Sequence, residues 1–197
     1  MNRMLLAVAA LGLACAMGGC FAEVKDDVKT ATTRFTIEAD RLADAASYRD
    51  AYDRDCANPD KVLALFFNAL LLIEQDEQSG TYTAVYMCRE GDQWKSDKSF
   101  TGVVPSQMAS EGYKRIAANG HLVRSYCGAD GPPGYALKDA TKIRLDIKQV
   151  DTASADTKKY FVFSTGKDAA SPVTLRNVDG KWVIEEWSSI QTGVRKR

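Results

Sequence analysis

KIRLDIKQV (142–150), KKYFVFSTG (158–166), PVTLRN (172–177) and KWVIEEW (181–187) are four short runs rich in β-branched and aromatic residues, separated by turn formers. In the first, Ile143, Leu145 and Ile147 alternate with Arg144, Asp146 and Lys148, the period of two that marks a half-buried strand. In the last, Trp182 and Ile184 share one face and Glu185 takes the other. The third and fourth runs meet at Asn177-Val178-Asp179-Gly180, where Gly180 supplies the positive φ of a tight hairpin. The C-terminal third therefore reads as a four-stranded antiparallel meander.

A sheet with one apolar face needs cover, and the preceding residues supply it. Asn58-Pro59-Asp60 opens a helix: Asn caps, Pro at the first position loses no hydrogen bond, and Asp suits the positive end of the dipole. Val62, Leu63, Phe66, Ala69, Leu70 and Ile73, widened by Leu65, Phe67 and Leu72, make that helix apolar nearly all round. Such a helix belongs in a core. Thr81–Glu90 fits helix or strand on its own pattern, and residues 91–100 read as a polar loop around Trp94. A further helix starts at Pro105 or Ser106, turns Met108, Tyr113 and Ile116 inward, and stops at Asn119-Gly120. The predicted fold class is α+β: N-terminal helices packed on a C-terminal four-stranded antiparallel sheet, which this element order also allows to curl into a cone.

The N-terminus carries an address. Arg3, an uncharged apolar run from Met4 to Met17, and the small residues Gly18 and Gly19 before Cys20 have the layout of a signal peptide. Met17-Gly18-Gly19-Cys20 resembles a bacterial lipobox, so residues 1–19 are expected to be removed and Cys20 acylated. The alternative is a secreted protein cut near Ala22. Residues 20–55 read as a tether and helical spacer, loose to Thr33 and helical beyond it, leaving residues 56–197 as a single α+β domain. Phe21 differs from the Asp that holds lipoproteins at an inner membrane, which in a two-membrane host directs the chain to the outer membrane. Lys+Arg and Asp+Glu both number 26, so no global field selects nucleic acid, and none is expected as a partner.

Two segments together resemble a bacterial domain family of unknown function. SYCGADGPPGY (125–135) is similar to its Ser-Tyr-aromatic-x-Gly-Ala loop. PVTLRNVDGKWVIEEWSSIQTGVRKR (172–197) is similar to its Pro-Val-x-Leu-Arg…Trp…Glu-aromatic-Ser-Ser…Gly-Ile-Arg ending. The resemblance spans Pro59 to the C-terminus, implies a helical first half and a β second half, and favours helix for Thr81–Glu90. It implies no reaction.

The chain offers little catalytic vocabulary. His121 is the single histidine, and no nucleophile turn, C-x-x-C, H-E-x-x-H or phosphate loop accompanies it. No catalytic residue, metal or cofactor is therefore expected. Glu186 shares the strand face of Trp182 and Ile184, so it would need Arg176 or Arg144 as a partner if that face is core. Tyr126, Tyr135, Arg176, Glu186 and Trp187 are the candidate ligand or interaction surface, with core packing as the alternative for the aromatic members. Cys56, Cys88 and Cys127 are an odd number, and any bridge among them is expected to include Cys127. The function these features suggest is a cell-envelope lipoprotein that binds an envelope protein, glycan or small ligand without catalysis. A small hydrolase or isomerase using a carboxylate-lined pocket is the second reading.

Overall fold

A computed structural model describes residues 29–31, 34–42 and 44–196. The segment expected to be a signal peptide, Cys20 with its expected acylation, and the expected spacer as far as residue 28 lie outside the described residues.

The meander forms as its alternation dictates: β5 (Lys142–Ser154), β6 (Thr157–Val162), β7 (Ser171–Val178) and β8 (Lys181–Glu186) pair antiparallel in chain order. Ile143, Leu145, Ile147, Tyr160, Val162, Val173, Leu175, Trp182 and Ile184 all point to one face and are buried. At the last turn Asp179 and Gly180 both take positive φ, and the Asn177 side chain accepts from the Gly180 amide. The sheet has a fifth strand position beside β5, which corrects the count of four. Two short segments fill it in line, β1 (Lys29–Ala31) against Val150–Thr152 and β2 (Phe35–Asp40) against Lys142–Ile147. β2 also corrects the expectation of helix beyond Thr33: Phe35, Ile37 and Ala39 alternate with Thr36, Glu38 and Asp40 and join the core at period two.

Among the described residues, five helices form the layer on the inner face. α1 (Ala45–Asp55) is capped by Asp44 and buries Tyr48, Ala51 and Tyr52; α2 (Pro59–Leu72) is capped by Asn58, whose oxygen accepts from the amides of Asp60 and Lys61. Every residue of α2 from Val62 onward is buried. It packs against both β2 and β8, the opposite edges of the sheet. A helix of fourteen residues is about 21 Å long and five strands span about 19 Å, so one helix reaches both edges of a curled sheet. Irregular pairing at Ile147/Gln149, Thr152/Ser154 and Thr174/Leu175 supplies the bending.

α3 (Glu77–Tyr86) is a helix, as the resemblance implies, and it turns back tightly on α2. Gly80, within α3, permits the close approach: a Cβ there would lie 2.5 Å from the backbone nitrogen of Ile73. Residues 91–100, expected as loop, instead begin a two-stranded hairpin, β3 (Gln93–Lys95) with β4 (Val103–Pro105). α4 (Gln107–Ala118) and the single turn α5 (His121–Arg124) complete the layer. Tyr113 and Ile116 are buried as expected, but Met108 is 88% exposed. The buried stripe of α4 runs through Ala109, Gly112, Tyr113 and Ile116, and Met108 sits roughly a quarter turn around from its centre.

Candidate functional site

The residues that carry the family resemblance build a seam inside the protein. Tyr126 is buried, its hydroxyl 2.8 Å from Ser171 Oγ and its ring beside Phe67. Ser164 donates to Ser125 Oγ at 2.8 Å, and Ser125 donates to Leu122 O, so the enclosed hydroxyls satisfy one another. Gly128 takes positive φ where a side chain would press on Arg144. Tyr135 is wholly buried against the His121 ring and donates to the carbonyl of Arg195. Ser189 donates to Pro172 O at 2.7 Å, while Lys167 donates to the carbonyls of Ser189 and Thr192. The 125–135 loop, the 163–168 turn and the C-terminal segment are thus laced together, which accounts for Tyr126 and Tyr135 structurally.

The other three candidates gather at the end of β8. The register there shifts: Glu186 lies opposite Thr174 and Ile184 opposite Leu175, leaving Glu185 as the extra residue of a bulge. The bulge overturns the expected alternation. Glu186 is exposed rather than sharing the core face, and Trp187 takes the buried place, its ring 5.3 Å from Phe66 and 5.0 Å from Tyr113. The partner of Arg176 is likewise Glu185, at 3.4 Å, and not Glu186. The second oxygen of Glu185 faces Arg89 at 3.6 Å, and Arg89 also holds Asp92 at 3.2 Å. A chain of alternating charge, Asp92–Arg89–Glu185–Arg176, therefore crosses from the end of α3 to β7.

This chain divides two surface grooves. One, of about 330 Å³, lies between α4 and β8, with Trp187, Glu185, Glu186, Gln191, Met108 and Arg115 among its lining residues. The other, of about 500 Å³, lies between the β3–β4 hairpin and the β7–β8 turn and is lined by Tyr86, Arg89, Lys95, Val103, Val178 and Val183. Gln93 lines the second groove. Its side-chain amide donates to the carbonyls of Cys88 at 2.6 Å and Val85 at 2.9 Å, closing the C-terminus of α3. Arg89, Asp92 and Gln93 follow a helix end in a stretch with no periodicity, and nothing in the sequence marks them as facing β8.

The electrostatics of the first groove favour fixed charge. Burial opposes ionisation of Glu186, but hydrogen bonds from Ser188 and the nearby Arg89 outweigh it and hold the carboxyl below its ordinary value. A hydrogen bond and the charge of Lys114 lower Glu111 in the same way. Burial raises Glu74, which sits 3.4 Å from Arg124 and lines neither groove. His121 is pulled below its ordinary value by burial, then by the charges of Lys196 and Arg124. Cys56, Cys88 and Cys127 are all buried free thiols; burial pushes Cys88 up to about 12 and Cys127 higher still. Among the described residues, no three His, Cys, Asp or Glu side chains are placed to hold a metal ion.

The fold and the grooves define an α+β domain with a charged, aromatic-floored cleft beside the last strand of a curled antiparallel sheet. Residues 42–197 match the family described as Domain of unknown function (DUF6935), and the chain belongs to that family. The matched region starts just before α1 and contains both segments singled out in the sequence. No curated protein and no solved structure matches the chain.

Proposed function

We propose that this chain is an acylated cell-envelope protein whose domain is a non-enzymatic binding module, and that the cleft beside β8 is its binding surface. In a two-membrane host its place is the outer membrane. The anchor rests on the lipobox-like Met17-Gly18-Gly19-Cys20. Among the described residues no helix is long and apolar enough to cross a membrane.

The observation that carries the binding reading is the state of the cleft's carboxylates. Glu185 is bracketed by Arg89 and Arg176, and hydrogen bonds lower Glu186 and Glu111. Proton transfer near neutral pH calls for a carboxylate raised toward that pH. Carboxylates aimed by such partners instead present a fixed pattern of side chains to a ligand. The aromatic floor at Trp187 adds apolar contact, which suits an envelope peptide, glycan fragment or small polar ligand. The hydrolase or isomerase reading would need a raised carboxylate in the cleft, and the one raised among the described residues, Glu74, lies against Arg124 instead.

Two measurements test this. Metabolic acyl labelling of the full chain and of Cys20→Ser reads the anchor: labelling that survives the substitution refutes it. Calorimetric titration with soluble envelope glycan fragments and short envelope peptides reads the cleft. Binding by the parent that is lost in Glu185→Ala, with no turnover of the bound compound, is the expected result. Turnover abolished by Glu186→Gln would establish the enzymatic reading in its place.

A further inference from the structure

The large apolar side chains that the fold leaves in solvent are concentrated. Those most exposed among the described residues are Trp94 (55%), Phe100 (41%), Met108 (88%) and Val178 (47%). Trp94 stands on β3, Phe100 in the turn between β3 and β4, and Met108 in the first turn of α4, just beyond β4. Val178 lines the groove that Lys95 and Val103 of the hairpin also line. All four therefore lie on or beside one two-stranded hairpin.

The hairpin is built to hold them out. Gln93 ties its first strand to the end of α3, and Thr101 Oγ1 contacts Tyr82 O at 3.4 Å, docking it on that helix. Trp94 pairs with Val104 across the strands. Successive residues of a strand point to opposite faces, so Trp94 projects away from the face that Gln93 gives to α3. Arg49 donates to the carbonyl of Phe100, which fixes the turn against α1. An apolar ring held in water by this many contacts is not explained by core packing.

We propose that the β3–β4 hairpin is an interfacial contact with an anionic lipid surface, with Trp94 and Phe100 entering the headgroup region. Three features favour lipid over a protein partner. Trp94 and Phe100 flank two lysines in QWKSDKSF (93–100), a segment that stays net basic with Asp97 between them, and Lys95 and Lys98 form no ion pair among the described residues. Tryptophan prefers the water–lipid interface, and lysine lays its stem along apolar material while its ammonium reaches phosphate. Finally, strands of three residues offer little area, whereas a stable protein interface buries about 800 Å² on each partner. A small projecting patch suits a fluid surface, which needs no complementary shape. The contact does not require the acyl anchor; with it, the hairpin would set how the domain rests on the membrane.

Tryptophan fluorescence isolates the hairpin, because Trp182 and Trp187 are each 6% exposed and Trp94 alone faces solvent. The full chain is mixed with excess vesicles containing phosphatidylglycerol and brominated phosphatidylcholine. Trp94 emission should be quenched from the lipid side and shift to the blue, with acrylamide losing access to it. Trp94→Phe should remove the quenched component and leave the buried one unchanged. Removing the phosphatidylglycerol should weaken the contact by about fivefold for each engaged lysine, the equivalent of about 1 kcal/mol apiece. Emission that stays open to acrylamide and blind to the brominated lipid overturns the proposal, whether or not the chain is acylated. Concentration-dependent dimerisation relieved by Trp94→Ser, without lipid quenching, would assign the hairpin to a second copy and overturn it as well. Acyl labelling reads the anchor separately, so the two failures are distinguishable.

Discussion

Removing the Trp187 indole should cost more stability than any surface change in the cleft it floors. The side chain is 6% exposed and packs edge-on to Phe66 at 5.3 Å and tilted on Tyr113 at 5.0 Å. A buried aromatic removes about 200 Å² from water, worth about 5 kcal/mol at about 25 cal/mol per Å², and alanine keeps only a small part of that. Tyr113 and Phe66 belong to α4 and α2, neither of which is free to close on the gap, so a cavity term adds to the loss. Trp187→Ala should therefore destabilise by about 3–5 kcal/mol, a large share of the about 5–15 kcal/mol available to a domain. With a urea slope of about 2 kcal/mol/M, the midpoint falls by roughly 2 M. Far-ultraviolet circular dichroism is the right probe, since the substitution removes a fluorophore. Trp94→Ala is the control: its ring is 55% exposed and should shift stability by about 0.5 kcal/mol or less. Equal midpoints for the two variants would refute the assignment of Trp187 to the core.

Gly80→Ala should cost about 1–3 kcal/mol, because the new methyl meets the backbone of Ile73, which cannot swing aside as a side chain would; an unchanged melting temperature would show that α2 and α3 are less closely applied. Cys56, Cys88 and Cys127 should resist alkylation at pH 8 in the native protein and react together on unfolding, and non-reducing peptide maps should show no link among them. Stability should fall as pH drops below about 6.5, the ordinary histidine value. There the unfolded chain takes up a proton on His121 more readily than the folded one, whose imidazole is held below its ordinary value by burial and then by Lys196 and Arg124, so the unfolded state binds more protons. His121→Gln should flatten that part of the titration curve, and an unaltered slope would place the acid sensitivity elsewhere.

Much of the fold could be read from pattern because the pattern is the physics. Ile143, Leu145 and Ile147 had to share a face, Asn58-Pro59 had to start a helix, and Asp179-Gly180 had to turn a hairpin, since each follows from backbone geometry within a few residues. Where local rules balance, the sequence was silent or misleading. Phe35–Asp40 alternates over only six residues beside a helical stretch, and its strand state is decided by the open edge of β5, far along the chain. Met108 has the right chemistry for a core, yet the stripe of α4 leaves it in solvent. The candidate site divided in the same way. Its aromatic members were legible as residues of consequence, but burial turned Tyr126 and Tyr135 into structural pins. A single bulge residue moved the partner of Arg176 from Glu186 to Glu185. Bulges and long-range charge pairs depend on how two distant segments slide past one another, and that is settled when the helices dock on the sheet, not by any window of sequence.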